Sequence, residues 1–306
     1  MNKYLISIVG PTAIGKTSMA IALANHFNTE IISTDSRQFY KEMCIGTAVP
    51  SQEELSTAKH HFIQHISIHD TYNVGAFEKE AITKIDQLLT KNDVLVMVGG
   101  SGLYNKAITD GLDDFPDVDP EIRIQLNQEL SQMGLAHLQK QLLSLDKTAY
   151  DSIAIENPHR VIRALEICIG TGKPFSSFLG KKKAKRSFET ITIGLRAERS
   201  ILYDRINKRV DLMIDQGLVE EVKSLSNHAH LNALNTVGYK EIFSHFNGEI
   251  TLEKAIEEIK KNTRRFAKRQ LTWFRKDKHI HWFEYTTNSD AIVGFIDSEI
   301  KKINLK

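Results

Sequence analysis

The chain has 306 residues, 41% of them hydrophobic and 25% charged, enough to bury one large core or two smaller ones. Forty basic residues against 38 acidic leave a formal charge of +2, so only the distribution of charge can speak about a polyanionic partner. No apolar run approaches the roughly 20 residues that span a bilayer, and the opening MNKYLISIVGP is too short in apolar residues for a secretory signal.

Taken in chain order, Tyr4–Val9 reads as a buried strand and Lys16–His26 as the helix that follows it. Glu30–Ser33 is a second strand. Phe77–Leu89, apolar at 77, 81, 82, 85, 88 and 89, is a helix that leads into a third strand, Val94–Val98. Residues 113–155 begin acidic and Pro-containing, then turn helical. Asn157–Ile169 opens with Asn-Pro, a helix-start signal, and ends at Gly170-Thr171-Gly172. A fourth strand is expected over Thr190–Leu195, a long helix over Ile201–Leu225, helical segments around Gly238 and Ala255, a helix over Thr263–Arg275 and a fifth strand over His279–Phe283. Strands alternating with helices predict an α/β fold, a parallel five-stranded sheet with helices on both faces and helical insertions, and the glycine-rich GPTAIGKT segment after the first strand makes it P-loop NTPase-like. The organisation predicted is a core in residues 1–112, an insertion in 113–155, more core in 156–199, a helical segment in 200–262, and a basic helix with the last strand in 263–306. Cys44 and Cys168 are far apart, form no metal or disulfide framework, and are expected as small buried residues of a protein in the reducing cytoplasm.

Gly10-Pro11-Thr12-Ala13-Ile14-Gly15-Lys16-Thr17 matches G-x-x-x-x-G-K-[ST] in full, after a strand and at the start of a helix. The glycines let backbone N–H groups wrap an anion, and the helix N-terminus adds a favourable dipole. Lys16 supplies a point charge, and the Thr17 hydroxyl is placed to ligate magnesium. The loop implies a phosphate-chain ligand without implying ATP. A P-loop NTPase usually carries a carboxylate at the end of a neighbouring strand, yet Val94–Val98 runs into Gly99-Gly100-Ser101-Gly102. The nearest well-placed acid is Asp35, in Ser33-Thr34-Asp35-Ser36-Arg37-Gln38-Phe39-Tyr40. A carboxylate at the C-terminal end of a parallel strand sits where such sheets place ligands. Asp35 is therefore a candidate general base; capping a helix is its other reading.

With these residues in view, the chain resembles the tRNA dimethylallyltransferase (isopentenyltransferase) family along nearly its whole length. The resemblance rests on ordered motifs: GPTAIGKT at 10–17, STDSRQFY at 33–40, IGTAVP at 45–50, HHF at 60–62 and VGGSGLY at 98–104. NPHRVIRALEI at 157–167, RVDLMIDQGLVEEV at 209–222, VGYKEI at 237–242 and TRRFAKRQLTWFR at 263–275 continue the series. It implies that Gly10–Thr17 bind the diphosphate of dimethylallyl diphosphate, with Mg2+ on Thr17, and that Arg209 is a further diphosphate contact. It implies that Asp35 is the base, and that the acceptor is the adenosine 3′ of the anticodon. The segments matching tRNA contacts are Asp35, Ser36, Arg37 and Gln38; His159, Arg160, Val161, Ile162 and Arg163; and Asn235, Thr236, Val237, Gly238, Tyr239 and Lys240. Ser101, Arg123, Lys268, Arg269, Gln270, Trp273 and Arg275 complete that set, and a monomer is implied. Two positions depart from the family pattern. Ser101 replaces the usual threonine, keeping the hydroxyl with a freer rotamer, and Val49 replaces the usual lysine.

The implied reaction is an alkyl transfer. An adenine amine is a poor nucleophile, so a base that removes its proton helps. The leaving diphosphate gains charge, which loop amides, Lys16, magnesium and Arg209 would stabilise. Some apolar lining must exclude water, and sequence does not assign it. The acceptor base must be extruded from its stack. Lys260–Lys278 holds nine Lys or Arg against one acid, Asp277, and its basic face is the expected RNA surface. Phe266, Gln270, Trp273 and Phe274 recur near helical spacing, so those aromatics are expected in the core. Arg205 and Arg209, at i and i+4, also fit a solvated stripe. The run Lys181–Arg186 fits a solvated loop or a polyanion contact. Adjacent His60 and His61 diverge and have no third ligand spaced nearby. Rival readings are a P-loop nucleoside or nucleotide kinase and a prenyltransferase of free adenine nucleotides. The motif series, the basic helix and the segments at 159–163, 235–240 and 268–275 argue against both.

Overall fold

The structure is a computed structural model that describes residues 2–180 and 185–305. The chain divides into two compact units, Met1–Thr109 with Arg186–Lys306, and Asp110–Lys185.

The first unit is built on β1 (Tyr4–Val9), β2 (Ile31–Ser33), β3 (His60–His61), β4 (Val94–Val98), β5 (Glu189–Arg196) and β6 (His281–Glu284). They form one sheet in the order β3-β2-β4-β1-β5-β6, and every pairing is parallel. Among the described residues the sheet thus has six strands where five were expected. The extra one is two residues long, His60 and His61 beside Ile31 and Ile32, too short to leave a periodic trace. His61 Nε2 meets Glu30 Oε2 at 2.6 Å, and neither histidine belongs to a metal-binding group among the described residues.

β1 is buried along all six residues because both faces of the sheet are covered. Tyr4, Ile6 and Ile8 enter one core cluster with Val96, Ile193 and Leu195. Leu5 faces the opposite cluster with Ile32, Leu95 and Met97. Ser7 lies fully buried between them and accepts a 2.7 Å hydrogen bond from Asn105 Nδ2.

Helices α1 (Lys16–His26), α2 (Gln52–Thr57), α3 (Val74–Leu89) and α4 (Gly102–Asp110) come first. On α3, Phe77, Ala81, Ile85 and Leu89 recur every four residues and are all buried, each larger side chain contributing about 1.5–3 kcal/mol by leaving water. Asn73 caps its N-terminus by accepting from Ala76 N.

The second unit holds α5 (Pro120–Met133), α6 (Leu135–Leu145), α7 (Lys147–Ser152) and α8 (Pro158–Thr171). Its core is Leu126, Leu138, Leu142, Val161, Ile162 and Leu165 with their neighbours. Sequence assigned α8 to the sheet domain, but its apolar face packs on α5 and α6 instead. Asn157 caps α8 as its Asn-Pro start implied. Cys168 is buried, whereas Cys44, in a loop of the first unit, is exposed against expectation.

The first unit resumes with α9 (Arg199–Asp215), α10 (Leu218–Ser224), α11 (Tyr239–Phe246), α12 (Leu252–Phe274) and α13 (Ser289–Asn304). The single helix expected over Ile201–Leu225 is broken at Gly217, whose φ of 97° no helix accommodates. The helix expected from Thr263 begins eleven residues earlier, where Thr251 caps Lys254 N. A second cluster in this unit, around Val210, Leu218, Val222, Tyr239, Ile242 and Ile259, fastens α9 to α12 together. Among the described residues, no helix is long and apolar enough to cross a membrane.

Candidate active site

The phosphate loop leaves β1 and enters α1 at the carboxyl end of the sheet. Gly10, Ala13 and Gly15 have positive φ values of 146°, 62° and 105°, a conformation that turns successive N–H groups inward. Gly15 is the residue before α1, and no side chain caps that end, so the first amides of the helix remain available to an anion. Lys16 Nζ donates to the Pro11 carbonyl at 2.8 Å across the loop. Burial lowers the Lys16 ammonium from 10.5 to about 8, with Asp35 opposing and Arg209 adding to the shift.

Three side chains hold the loop from outside. Gln270 of α12 accepts from Thr12 N at 2.9 Å and donates to Gly100 O at 3.0 Å, tying the loop to the end of β4. Arg205 Nε donates to Ala13 O at 2.8 Å. Arg209 reaches Thr12 Oγ1 at 3.4 Å. Burial also holds the Arg209 guanidinium below its usual value, with Asp35 opposing. Arg205 and Arg209 are thus engaged with the loop and are not a solvated stripe.

Two cavities meet at this point. One, of about 390 Å³, is lined by Ala13–Ser18, Glu54, Arg205, Lys208 and Arg209. The other, of about 570 Å³, is lined by Thr12, Asp35, Ser36, Arg37, Gly100–Tyr104, Arg209 and residues of the loop before α11. Arg209 and the phosphate loop are common to both. Asp35 Oδ1 accepts from Arg37 N at 3.2 Å, a turn that fixes the carboxylate after β2. Ser101 Oγ accepts from Ser36 N and lies 3.2 Å from Ser36 Oγ, so the ends of β2 and β4 are joined beside Asp35. The glycines around Ser101 are required by close approach. A Cβ on Gly100 would stand 2.3 Å from Gln270 Nε2, and one on Gly102 would stand 2.2 Å from the Trp273 indole.

The larger cavity has an apolar wall that sequence did not assign. Ile206, Val210 and Met213 of α9 face it with Ile259 and Phe266 of α12. Phe266 and Trp273 are about 40% exposed and line the cavity, correcting their expected core placement. Only Phe274 is in the core, because α12 turns one face to the loop and leaves Phe266 and Trp273 at its edge.

Asn235, Thr236, Val237, Gly238 and Lys240 also line this cavity. Tyr239 does not: it is fully buried, and its hydroxyl donates to Glu221 Oε1 at 2.6 Å. Glu221 further accepts from the N–H groups of Cys44, Ile45 and Gly46. Nothing in the sequence singled out Glu221, since its role is visible only where two distant segments meet. Gln38 is likewise buried and donates to the carbonyls of Thr47 and Ala48. Val49 is half-buried in the same loop, its N–H donating to Cys44 O. Gln38, Tyr239 and Gln270, expected on RNA, are therefore occupied in holding the cavity's walls.

Arg269 lines the larger cavity, its guanidinium 5.7 Å from the Phe266 ring. Lys268 and Arg275 instead line a neighbouring cavity of about 530 Å³ with Arg196 and Arg199. In the second unit, Val161 and Ile162 are buried in its core, which removes their side chains from any RNA surface. His159 and Arg160 are exposed. Arg123 and Arg163 share the Glu166 carboxylate at 3.8 and 3.2 Å. Of the basic run, Lys181–Ala184 lie outside the described residues. Arg186 is engaged with Glu78, Ala107 and Ile108.

For a metal, the smaller cavity offers the Thr17 hydroxyl and the Glu54 carboxylate, with no three-residue ligand group among the described residues. That sparse donor set fits a Mg2+ carried largely by phosphate oxygens and water.

A parallel sheet with a phosphate loop, a basic cavity beneath it, and a half-apolar cavity holding a carboxylate define a P-loop protein. The family model described as IPP transferase matches residues 38–277. A tRNA dimethylallyltransferase of Christiangramia forsetii is 66% identical over 300 residues, covering 98% of this chain and 99% of the relative. One from Flavobacterium johnsoniae is 55% identical, covering 98% and 99%. The crystal structure of a tRNA isopentenylpyrophosphate transferase from Bacillus halodurans is similar at TM-score 0.71 and 37% identity, covering 99% of this chain and 96% of that one. A eukaryotic dimethylallyltransferase acting on tRNA matches at TM-score 0.85 and 25% identity, covering 98% and 80%. The chain belongs to the tRNA dimethylallyltransferase family.

Proposed function

We propose that the protein transfers a dimethylallyl group from dimethylallyl diphosphate to the exocyclic amine of the adenosine 3′ of the anticodon in tRNA, releasing diphosphate. It would do so in the cytoplasm as a monomer. The observation that carries this is the placement of Asp35 and Ser101 in one cavity with an apolar wall, joined through Arg209 to the cationic cavity under the phosphate loop.

In the proposed step the adenine amine forms its bond to C1 of the dimethylallyl group as the C1–O bond breaks, and the electron pair leaves with diphosphate. Asp35 takes the amine proton. Ser101 is positioned to hydrogen-bond the acceptor base. Lys16, Arg209 and the loop amides hold the departing charge in a preorganised setting. Mg2+, held by Thr17 and the diphosphate, would supply further charge neutralisation. Ile206, Val210, Met213 and Ile259 keep water from the allylic carbon. Arg269, Phe266 and Trp273 at the cavity's edge offer guanidinium and ring planes on which unstacked bases can rest.

The test is incubation of the protein with dimethylallyl diphosphate, Mg2+ and either tRNA or AMP, followed by mass analysis of the nucleosides. Prenylated adenosine from tRNA and none from AMP is expected. Product from AMP alone would overturn the choice of acceptor.

A further inference from the structure

Helix α9 carries both the cationic and the apolar contacts, and it changes character at one residue. Arg205, Lys208 and Arg209 face the cavity beneath the phosphate loop. Ile206, Arg209, Val210 and Met213 face the cavity that holds Asp35. Arg209 belongs to both, so a diphosphate held there hands its apolar tail to the stretch of α9 that follows. Met213 lies four residues beyond Arg209, one turn further on the same face and about 6 Å along the axis. The walls beside this path are buried: Ile206, Val210 and Ile259 are at most 2% exposed. Behind them sits the cluster formed with Leu218, Val222, Tyr239 and Ile242. Met213 is the long, unbranched side chain on this path, and it is partly buried and packed against that cluster.

We propose that Met213 sets the length of the prenyl chain, closing the apolar path one turn beyond Arg209 so that a five-carbon group fits and a ten-carbon group does not. This rests on the proposed prenyl transfer. The longer donor would react by the same balanced step, with N–C1 forming, C1–O breaking and the proton passing to Asp35, so only room for the tail differs. A wall of this kind discriminates by volume. One methylene is worth roughly 10–200-fold in such pockets, so five extra carbons pressed against Met213 should be rejected strongly.

The test compares kcat/KM for dimethylallyl and geranyl diphosphate, at saturating tRNA, in wild type, Met213→Ala and Ile214→Ala. Ile214 packs on the same cluster without lining the cavity, so it controls for loosening of α9. Met213→Ala should raise the geranyl-to-dimethylallyl ratio at least tenfold, and Ile214→Ala should leave it within twofold. Should Met213→Ala fail to fold by thermal melting, Met213→Val is judged by the same ratio. A folded Met213 variant whose ratio stays within twofold of wild type, including one that loses both donors equally, overturns the assignment. Wild-type protein inert toward dimethylallyl diphosphate and tRNA would instead overturn the functional reading beneath it.

Discussion

Glu221 is the residue whose removal should be most instructive. Its carboxylate accepts from Cys44 N at 3.0 Å, Ile45 N at 2.7 Å, Gly46 N at 2.9 Å and Tyr239 Oη at 2.6 Å. Tyr239 in turn lies so close to Gly46 that a Cβ there would stand 2.5 Å from its ring. Glu221→Ala removes all four bonds. Water can replace the partner of Cys44, which is exposed, so three bonds are counted. At about 1 kcal/mol each the loss is about 3 kcal/mol, or roughly 6–12 °C in Tm at 2–4 °C per kcal/mol for a unit of this size. Tyr239→Phe removes one bond and should cost about 1 kcal/mol. Because the Gly46–Ala48 loop lines the cavity with Asp35, kcat/KM should also fall in Glu221→Ala, even where the variant is fully folded. Urea denaturation gives the stability and steady-state prenylation gives the activity. A Glu221→Ala loss below 0.5 kcal/mol would refute the claim that this carboxylate organises the loop.

Asp35→Asn keeps the acceptor for Arg37 N while removing the base. Single-turnover prenylation should drop by about 10²–10⁴-fold with tRNA affinity little changed, and near-wild-type turnover would remove Asp35 from that role. Replacing both Lys268 and Arg275, which are exposed around one basic cavity, should reduce the slope of log affinity for tRNA against log salt by about 1.4–1.8. An unchanged slope would mean neither side chain meets phosphate. Both ring nitrogens of His65 are shielded and unpartnered among the described residues, among the rings of Phe39, Phe62 and Tyr72. Burial holds its pKa below 6.5, with Glu80 opposing and Lys41 adding. The unfolded chain then binds more protons at mildly acid pH, so stability is lost as pH falls from about 6.5 toward the folded value. His65→Phe should flatten that part of the pH–stability curve, and parallel curves for the two proteins would contradict this account.

The sequence by itself determined what is local. The phosphate loop is legible because the chemistry of wrapping an anion demands glycines and a lysine at fixed spacing within eight residues. β1, β4 and α1 were legible to the residue, since a strand covered on both faces reads as an unbroken apolar run. Asp35 was legible because a short strand precedes it. Only the tertiary structure decided what depends on distant segments meeting. His60–His61 becomes a strand solely by pairing with β2, and α8 joins the second unit because its apolar face finds α5 and α6. Gln38, Gln270 and Tyr239 match tRNA-contacting positions in sequence, and Glu221 carries no signal of its own there. Each satisfies backbone or side-chain groups 9 to 258 positions away. Phe266 and Trp273 share helical spacing with the buried Phe274, yet they stand at the cavity's edge. Periodicity reports which face of a helix is apolar. It cannot report whether that face meets a core or the rim of a cavity, because the partner surface is assembled from chain that lies far off in sequence.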